Sequence, residues 1–458
     1  MFACFVKICR SRVCELAPAF GAQSKMCFSA PTLDPIQFDQ AARRILQRCE
    51  RLAGCSDKPG QITRLFCSPA MQAAHEKLRD WIESAGLEVR IDSAANLIGR
   101  LAGHRDGSSP ESAPLSLIIG SHLDTVVDAG KYDGALGVLM GLAIAELITQ
   151  TESALPFSLD IIAFSEEEGV RYQTPYIGSR ALIADLPAEL LRKTDADGIP
   201  MADALRSFGC DPGCLSEATY SGDQAIAYVE PHIEQGPVLE LEGLPVGVVT
   251  GIAGQTRANF QFLGRAGHAG TVPMAARHDA LAAAAQFICE IEEFALTRPG
   301  LTATVGQITV APNVSNVIPG EVNLRLDLRH IDDESREAAF RQITHQAAVI
   351  AEDRELEFDL TSVEHHCAVR CDAGLTDLLE QAVEQCGIRP LRLPSGAGHD
   401  AVIMSRRFPV AMLFVRCTGG ISHHPDESVT EPDVATALRV LWQFVMKLAG
   451  QRQSVTCP

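Results

Sequence analysis

LSLIIGSHLDTV (115–126) and SLDIIAFSEEEG (158–169), with GALGVLMGLAIAELITQ (134–150) between them, decide the fold of this chain. Each outer stretch opens on a short, nearly continuous apolar run, the pattern of a strand buried on both faces in the middle of a sheet. The stretch between them reads as a buried helix. Strand, loop with ligand-type side chains, helix, strand, second such loop: open α/β sheets build sites this way, at the carboxyl ends of their strands. VAMLFVRC (410–417) repeats the device and delivers GISHHPDE (420–427). The fold expected is α/β, with a mixed, mainly parallel sheet flanked by helices.

Helical spacing marks 35–53, and a second helix at 69–86 is closed by Gly86. LEVRIDSAANLIGRLAG (87–103) alternates like strands. The middle of the chain differs. Residues 246–264 and 301–310 are strand-like, and 276–296 and 333–352 are helical. EVNLRLDLRH (321–330) puts Val322, Leu324, Leu326 and Leu328 on one face and Asn323, Arg325, Asp327 and Arg329 on the other. Two helices on one face of a half-solvated antiparallel sheet make a small α+β domain. It lies between His232 and His423, so the larger domain is expected to be discontinuous, 31–248 and 362–458, around an insert at 249–361. As a lid over substrate, the insert would hinge near 246–256 and 355–365.

A chain of 458 residues exceeds one ordinary core. Its 46% hydrophobic and 21% charged residues are those of a globular protein. The 39 basic and 58 acidic residues leave a net charge of −19, spread along the chain. That balance repels polyanions and argues against nucleic acid or an acidic membrane as partner. No GxxxxGK[ST] loop is present, and apolar stretches such as 136–148 are too short for a bilayer. Fifteen cysteines without a CxxC pair read mostly as free thiols, small buried hydrophobes in a reducing compartment. A soluble, cytoplasmic protein is expected. Residues 1–30, with four cysteines and a single acid, read as a disordered or targeting segment, or as a start-site artefact upstream of Met26.

His122, Asp133, Glu168, His232 and His423 each follow a strand-like run and so can converge on one rim. Alone, HLD, EEG and HIE are weak signals, and a lone histidine is more often an ordinary core or surface residue. Their joint occurrence carries the argument. Three histidines and two carboxylates without cysteine suit zinc or manganese in an open, water-binding site. Five ligands exceed one tetrahedral zinc and suit two ions about 3.5–4 Å apart sharing a carboxylate. Asp133, in the turn at the mouth of the buried helix, is the expected bridge. Asp124, two residues past His122, is placed to accept the imidazole N–H from behind. A metal-dependent hydrolase is the reading.

GSHLDTV, YDGALGV, EEEGVRY, HIEQGPVLE, GIAGQTR, GHAGTVPM, SNVIPG, DLRHID, SGAGHDA and GGISHHP occur in that order. In this the chain resembles the hydantoinase/carbamoylase family of dinuclear amidohydrolases, related to metal-dependent aminoacylases and exopeptidases, over residues 35–450. The resemblance implies a zinc-exopeptidase-like catalytic domain with a lid and dimerisation insert. It implies two divalent ions, manganese first and zinc, cobalt or nickel as alternatives, on the same five residues, with Glu167 as general acid/base. Three glutamates stand where the motif has two, so this alignment leaves Glu166 as an outer carboxylate. His268 matches a donor to the oxyanion, reaching a neighbouring subunit's site. Asn316 and Arg329 match a clamp for a substrate carboxylate, a task that suits the planar guanidinium. Gln235 and His399 match further substrate positions. A homodimer joined through the insert and a small ureido acid as substrate are implied. The motifs look most like those of allantoate amidohydrolases, with N-carbamoyl-L-amino acids, ureidoglycolate or 3-ureidopropionate as alternative substrates. An aminoacylase or dipeptidase, or a non-catalytic binding protein, stands further behind.

Overall fold

SLIIGSH and SLDIIAF are adjacent parallel strands in which every residue is buried. They lie in a computed structural model that describes residues 31–104, 115–151, 154–222 and 224–456. The expectations for residues 1–30 fall outside it. In chain order the strands are β1 (Glu88–Ile91), β2 (Leu97–Leu101), β3 (Ser116–His122), β4 (Ser158–Phe164), β5 (Ala225–Ile233) and β6 (Val246–Ile252). There follow β7 (Gly254–Leu263), β8 (Gly267–His268), β9 (Thr302–Ala311), β10 (Val317–Ile318) and β11 (Glu321–His330). The last are β12 (Glu357–His366), β13 (Val369–Arg370), β14 (Arg392–Ser395) and β15 (Val410–Val415).

The larger sheet has nine strands in the order β1-β2-β4-β3-β5-β15-β6-β13, with β14 also on β6. Its centre, β4-β3-β5-β15, is parallel, and antiparallel pairs close both ends. This is the mixed, mainly parallel α/β sheet read from the apolar runs. Successive side chains of β3 enter different cores. Leu117 and Ile119 join Phe38, Trp442 and the helix Ala135–Gln150 on one side, while Ile118 joins Tyr228 and Met412 on the other. Burial on both faces removes any alternation, and each such side chain contributes about 1.5–3 kcal/mol. Helices Pro35–Ala53, Ala373–Gln385 and Glu431–Thr456 complete the first side.

A second sheet of four antiparallel strands, β12-β7-β11-β9, is covered on one face by helices Ala280–Leu296 and Asp333–Asp353. Val322, Leu324, Leu326 and Leu328 of β11 are buried there with Phe260 and Phe287, and the intervening side chains stay half-exposed. Asp279 and Asp332 cap the two helices, so the first begins at Ala280 rather than at 276. The strand-like run at 246–264 serves both sheets. It leaves the larger as β6 and enters the smaller as β7 after the single residue Ala253. Insert limits at 249 and 361 therefore fall inside β6 and β12, and the smaller sheet spans Gly254 to His366. The pattern is continuous across the passage, and nothing in it marks where the sheet changes. Among the described residues no helix is long and apolar enough to cross a membrane, and ten cysteines are unpaired.

Candidate metal centre

The central parallel strands end at one edge of the sheet, and the five candidate ligands lie along it. His122 is the last residue of β3, and Glu168 lies in the turn after β4. His232 is the penultimate residue of β5, Asp133 precedes the buried helix, and His423 lies in the loop after β15. Asp133 Oδ1 is 3.2 Å from His232 Nε2 and 3.7 Å from His122 Nε2. Its other oxygen, Oδ2, is 3.1 Å from His423 Nε2, which is 3.4 Å from Glu168 Oε1. Ligand atoms of His122, Asp133 and His232 lie within 4.8 Å of one another, as do those of Asp133, Glu168 and His423. A third such group is His122, Glu167 and Glu168. Asp133 thus divides its two oxygens between two halves of the cluster.

The donors fit divalent cations. Asp133 Oδ1 and His232 Nε2 are buried and make no hydrogen bond. Native interiors rarely leave such atoms unpaired without an ion or water to satisfy them. His122 Nδ1 is 3.0 Å from the Asp124 carbonyl and His232 Nδ1 is 2.9 Å from that of Ile233. A carbonyl only accepts, so each ring carries its proton on Nδ1 and turns a bare Nε2 to the cluster. The Asp124 carboxylate is 3.4 Å from the His122 ring, farther than its own carbonyl. Instead it accepts the backbone N–H groups of Glu167 (2.9 Å) and Glu168 (3.0 Å), and so sets the glutamate turn.

Glu427, quoted within GISHHPDE but given no role from sequence, holds the Asp133 turn. Its Oε1 accepts the N–H groups of Tyr132 (2.8 Å) and Asp133 (3.1 Å), and its Oε2 accepts the Ser422 hydroxyl (3.1 Å). Gly134, with φ 65°, follows; a Cβ there would stand 2.5 Å from the His122 carbonyl. Only glycine meets both demands. Gln235, with φ 57°, donates to Asp133 Oδ2 and to the Ser422 hydroxyl, each at 3.1 Å.

The chain matches the model of the peptidase family M20/M25/M40 across residues 118–447. It belongs to that family. An N-carbamoyl-L-amino acid amidohydrolase of Geobacillus stearothermophilus is 40% identical over 89% of this chain and 98% of its own. A probable allantoate deiminase of Oryza sativa subsp. japonica is 38% identical over 94% of each. Among solved structures, an amidase of the hydantoinase/carbamoylase family from Burkholderia multivorans superposes with a TM-score of 0.81 at 29% identity, covering 89% and 98% of the two chains. The family resemblance and the zinc-exopeptidase-like fold class are both met, and this M20 member is a hydrolase.

Electrostatics separate its carboxyls. Burial pushes Glu167 well up, with the neighbouring His122 imidazole opposing. Burial and the Asp133 charge bring Glu168 up to about 7. Asp133 is buried too, but the imidazoles of His122, His232 and His423 around it outweigh that and hold it well below the usual carboxylate range. Glu166 is buried with neither oxygen bonded and joins none of the three ligand groups. His399 lies beside the cluster, its ring 4.5 Å from that of His232 and its Nε2 2.8 Å from the Ser395 hydroxyl. Burial, then the neighbouring His232 imidazole, push it well below its ordinary value, so it is neutral.

Two candidates, His268 and Asn316, are not brought to this edge by hydrogen bonds of the chain itself, and a third, Arg329, reaches only the loop beside it. His268, on the β8/β10 ribbon, and Asn316, in the turn just before β10, are exposed. Their bonds stay local: Gly270 N–H donates to His268 Nδ1, and Ala269 N–H donates to the Asn316 carbonyl, both at 3.0 Å. Arg329 gives Nε and Nη2 to Asp327 (2.8 and 3.0 Å) and Nη1 to the Gly396 carbonyl (2.6 Å). That last bond ties β11 to the loop carrying His399.

Proposed function

We propose that this chain hydrolyses the ureido C–N bond of a small carboxylate, with allantoate as first candidate, giving ureidoglycine, ammonia and carbon dioxide. The observation that carries this reading is the Asp133 carboxylate set between two groups of ligand atoms, with Glu167 beside them. His122, Asp133, Glu168, His232 and His423 would hold two divalent ions, manganese first; zinc, cobalt and nickel accept the same donors. When bound, such ions polarise a carbonyl and acidify a water molecule. Glu167, whose burial raises its affinity for a proton, would as the carboxylate take a proton from the attacking water and return it to the departing nitrogen. Neutral His399 and Gln235 orient the substrate. The unused N–H groups of Arg329, with Asn316, clamp its carboxylate. The exposure of His268 and Asn316 in the single chain supports their reaching a second copy's site, His268 as donor to the oxyanion, in a homodimer joined through the insert. The unpaired cysteines support a cytoplasmic location.

The order of motifs supports allantoate, whereas the 40% identical relative supports an N-carbamoyl-L-amino acid. Ammonia release from both, and from ureidoglycolate and 3-ureidopropionate, by enzyme loaded in turn with manganese, zinc, cobalt and nickel decides. Allantoate should turn over fastest, and faster cleavage of N-carbamoyl amino acids would replace it. Hydrolysis confined to dipeptides or N-acyl amino acids would refute the ureido reading. Glu167→Gln should keep its metal and lose about 10²–10⁴-fold in turnover; undiminished turnover removes Glu167 from the role.

A further inference from the structure

Tyr176 has φ 66° and ψ 29°, a left-handed backbone that is an outlier for a bulky residue. Neighbouring bonds impose it. Ile177 N–H donates to the Glu166 carbonyl (2.9 Å) and Tyr176 N–H to that of Glu167 (3.3 Å). Asn96 Nδ2 donates to the Gly178 carbonyl (3.0 Å) and is braced by Asp92 (2.8 Å). The backbone that presents Glu167 therefore also aims Tyr176, and such conformations concentrate where a side chain must be placed for function.

The ring packs on the core that contains Tyr228 and Met412. Its hydroxyl reaches the SGAGHDA loop, where a Cβ on Gly398 would stand 2.1 Å from it. A glycine is thus required next to His399 to make room for this oxygen. Among the described residues the hydroxyl makes no hydrogen bond. Tyr176 is half-buried, so this hydroxyl remains open to a group from outside the chain. Burial, then the charges of Glu167, Asp400, Glu230 and Glu168, raise its pKa well above the usual value, so it stays a protonated donor. A protonated phenol presents a donor, which a carbonyl oxygen matches.

Resting on the ureido-hydrolase reading, we propose that Tyr176 is a substrate-binding residue whose hydroxyl donates to a carbonyl oxygen of the ureido acid. Tyr176→Phe removes one oxygen and keeps the ring on its core. Its kcat/KM on the wild type's preferred ureido acid should fall about tenfold, while metal content and Tm stay at wild-type values. Unchanged kcat/KM overturns the inference; so does a fall accompanied by lost metal or lowered Tm, which makes the hydroxyl a structural group. If wild type cleaves ureido acids and Glu167→Gln does not, a neutral Tyr176→Phe sinks this inference alone. If wild type cleaves none of them, the underlying reading fails and the inference falls with it.

Discussion

Replacing Asp124 with asparagine exchanges one oxygen for an amide nitrogen at a site only 1% exposed. The carboxylate accepts the N–H groups of Glu167 and Glu168, one on each oxygen, at 2.9 and 3.0 Å. Asparagine accepts one of the two and turns a donor against the other. A hydrogen bond to a charged acceptor contributes about 1.5–3 kcal/mol, and the N–H left facing a donor adds a desolvation penalty of similar size. A net loss of about 2–3 kcal/mol corresponds to about 30–150-fold in an equilibrium constant. The loss falls on the turn that aims Glu167 and Glu168 at the cluster, so it should appear in metal affinity and turnover, in the range common for groups behind metal ligands. Metal affinity by competition with a chromogenic chelator, beside ammonia release, reads both, and a circular-dichroism melt shows whether the fold survives. Affinity and turnover within twofold of wild type would refute the argument that Asp124 sets the glutamate turn.

Glu427→Ala strips the buried acceptor from Tyr132, Asp133 and Ser422. It should cost about 2–4 kcal/mol and release metal; unchanged Tm and metal content would contradict this. Asp327 gives a pH signature. Burial raises its pKa, but Arg329, Gln255 and Arg257 outweigh burial and hold it below the usual range. A depressed folded value means stability present above the unfolded pKa of about 3.9 and lost as pH falls through the folded one. The stability gap between wild type and Asp327→Asn in denaturant titrations should therefore be full at pH 6 and shrink below about pH 4. A pH-independent gap would be evidence against the network.

Strands β3 and β4 were legible because burial on both faces leaves an apolar run whose end is also where the ligands begin, at His122 and in the glutamate turn. Strand β11 was legible for the opposite reason, one dry face and one wet. For strand β5 only a strand-like run before His232 was legible and not its extent, since Glu230 and Pro231 interrupt it. Both are tolerated locally: pairing with β3 ends at Val229, and Glu230 accepts the Ala401 N–H at 2.9 Å. The passage from β6 to β7 is invisible in a pattern suited to either sheet. The spacing of Asp124 from His122 pointed to the imidazole, but the carboxylate is taken by peptide groups more than 40 residues away. The contact of Glu427 with Asp133 spans 294 positions, and the conformation of Tyr176 exists only once Asn96 and Glu166 are in place. No local pattern encodes such contacts.

Anomalous X-ray diffraction from crystals of the manganese-loaded protein, recorded on both sides of the manganese edge, tests the central claim most directly. Two peaks about 3.5–4 Å apart should flank the Asp133 carboxylate, one beside His122 or His232 and the other beside Glu168 and His423. A single peak, or metal bound away from Asp133, would contradict the account.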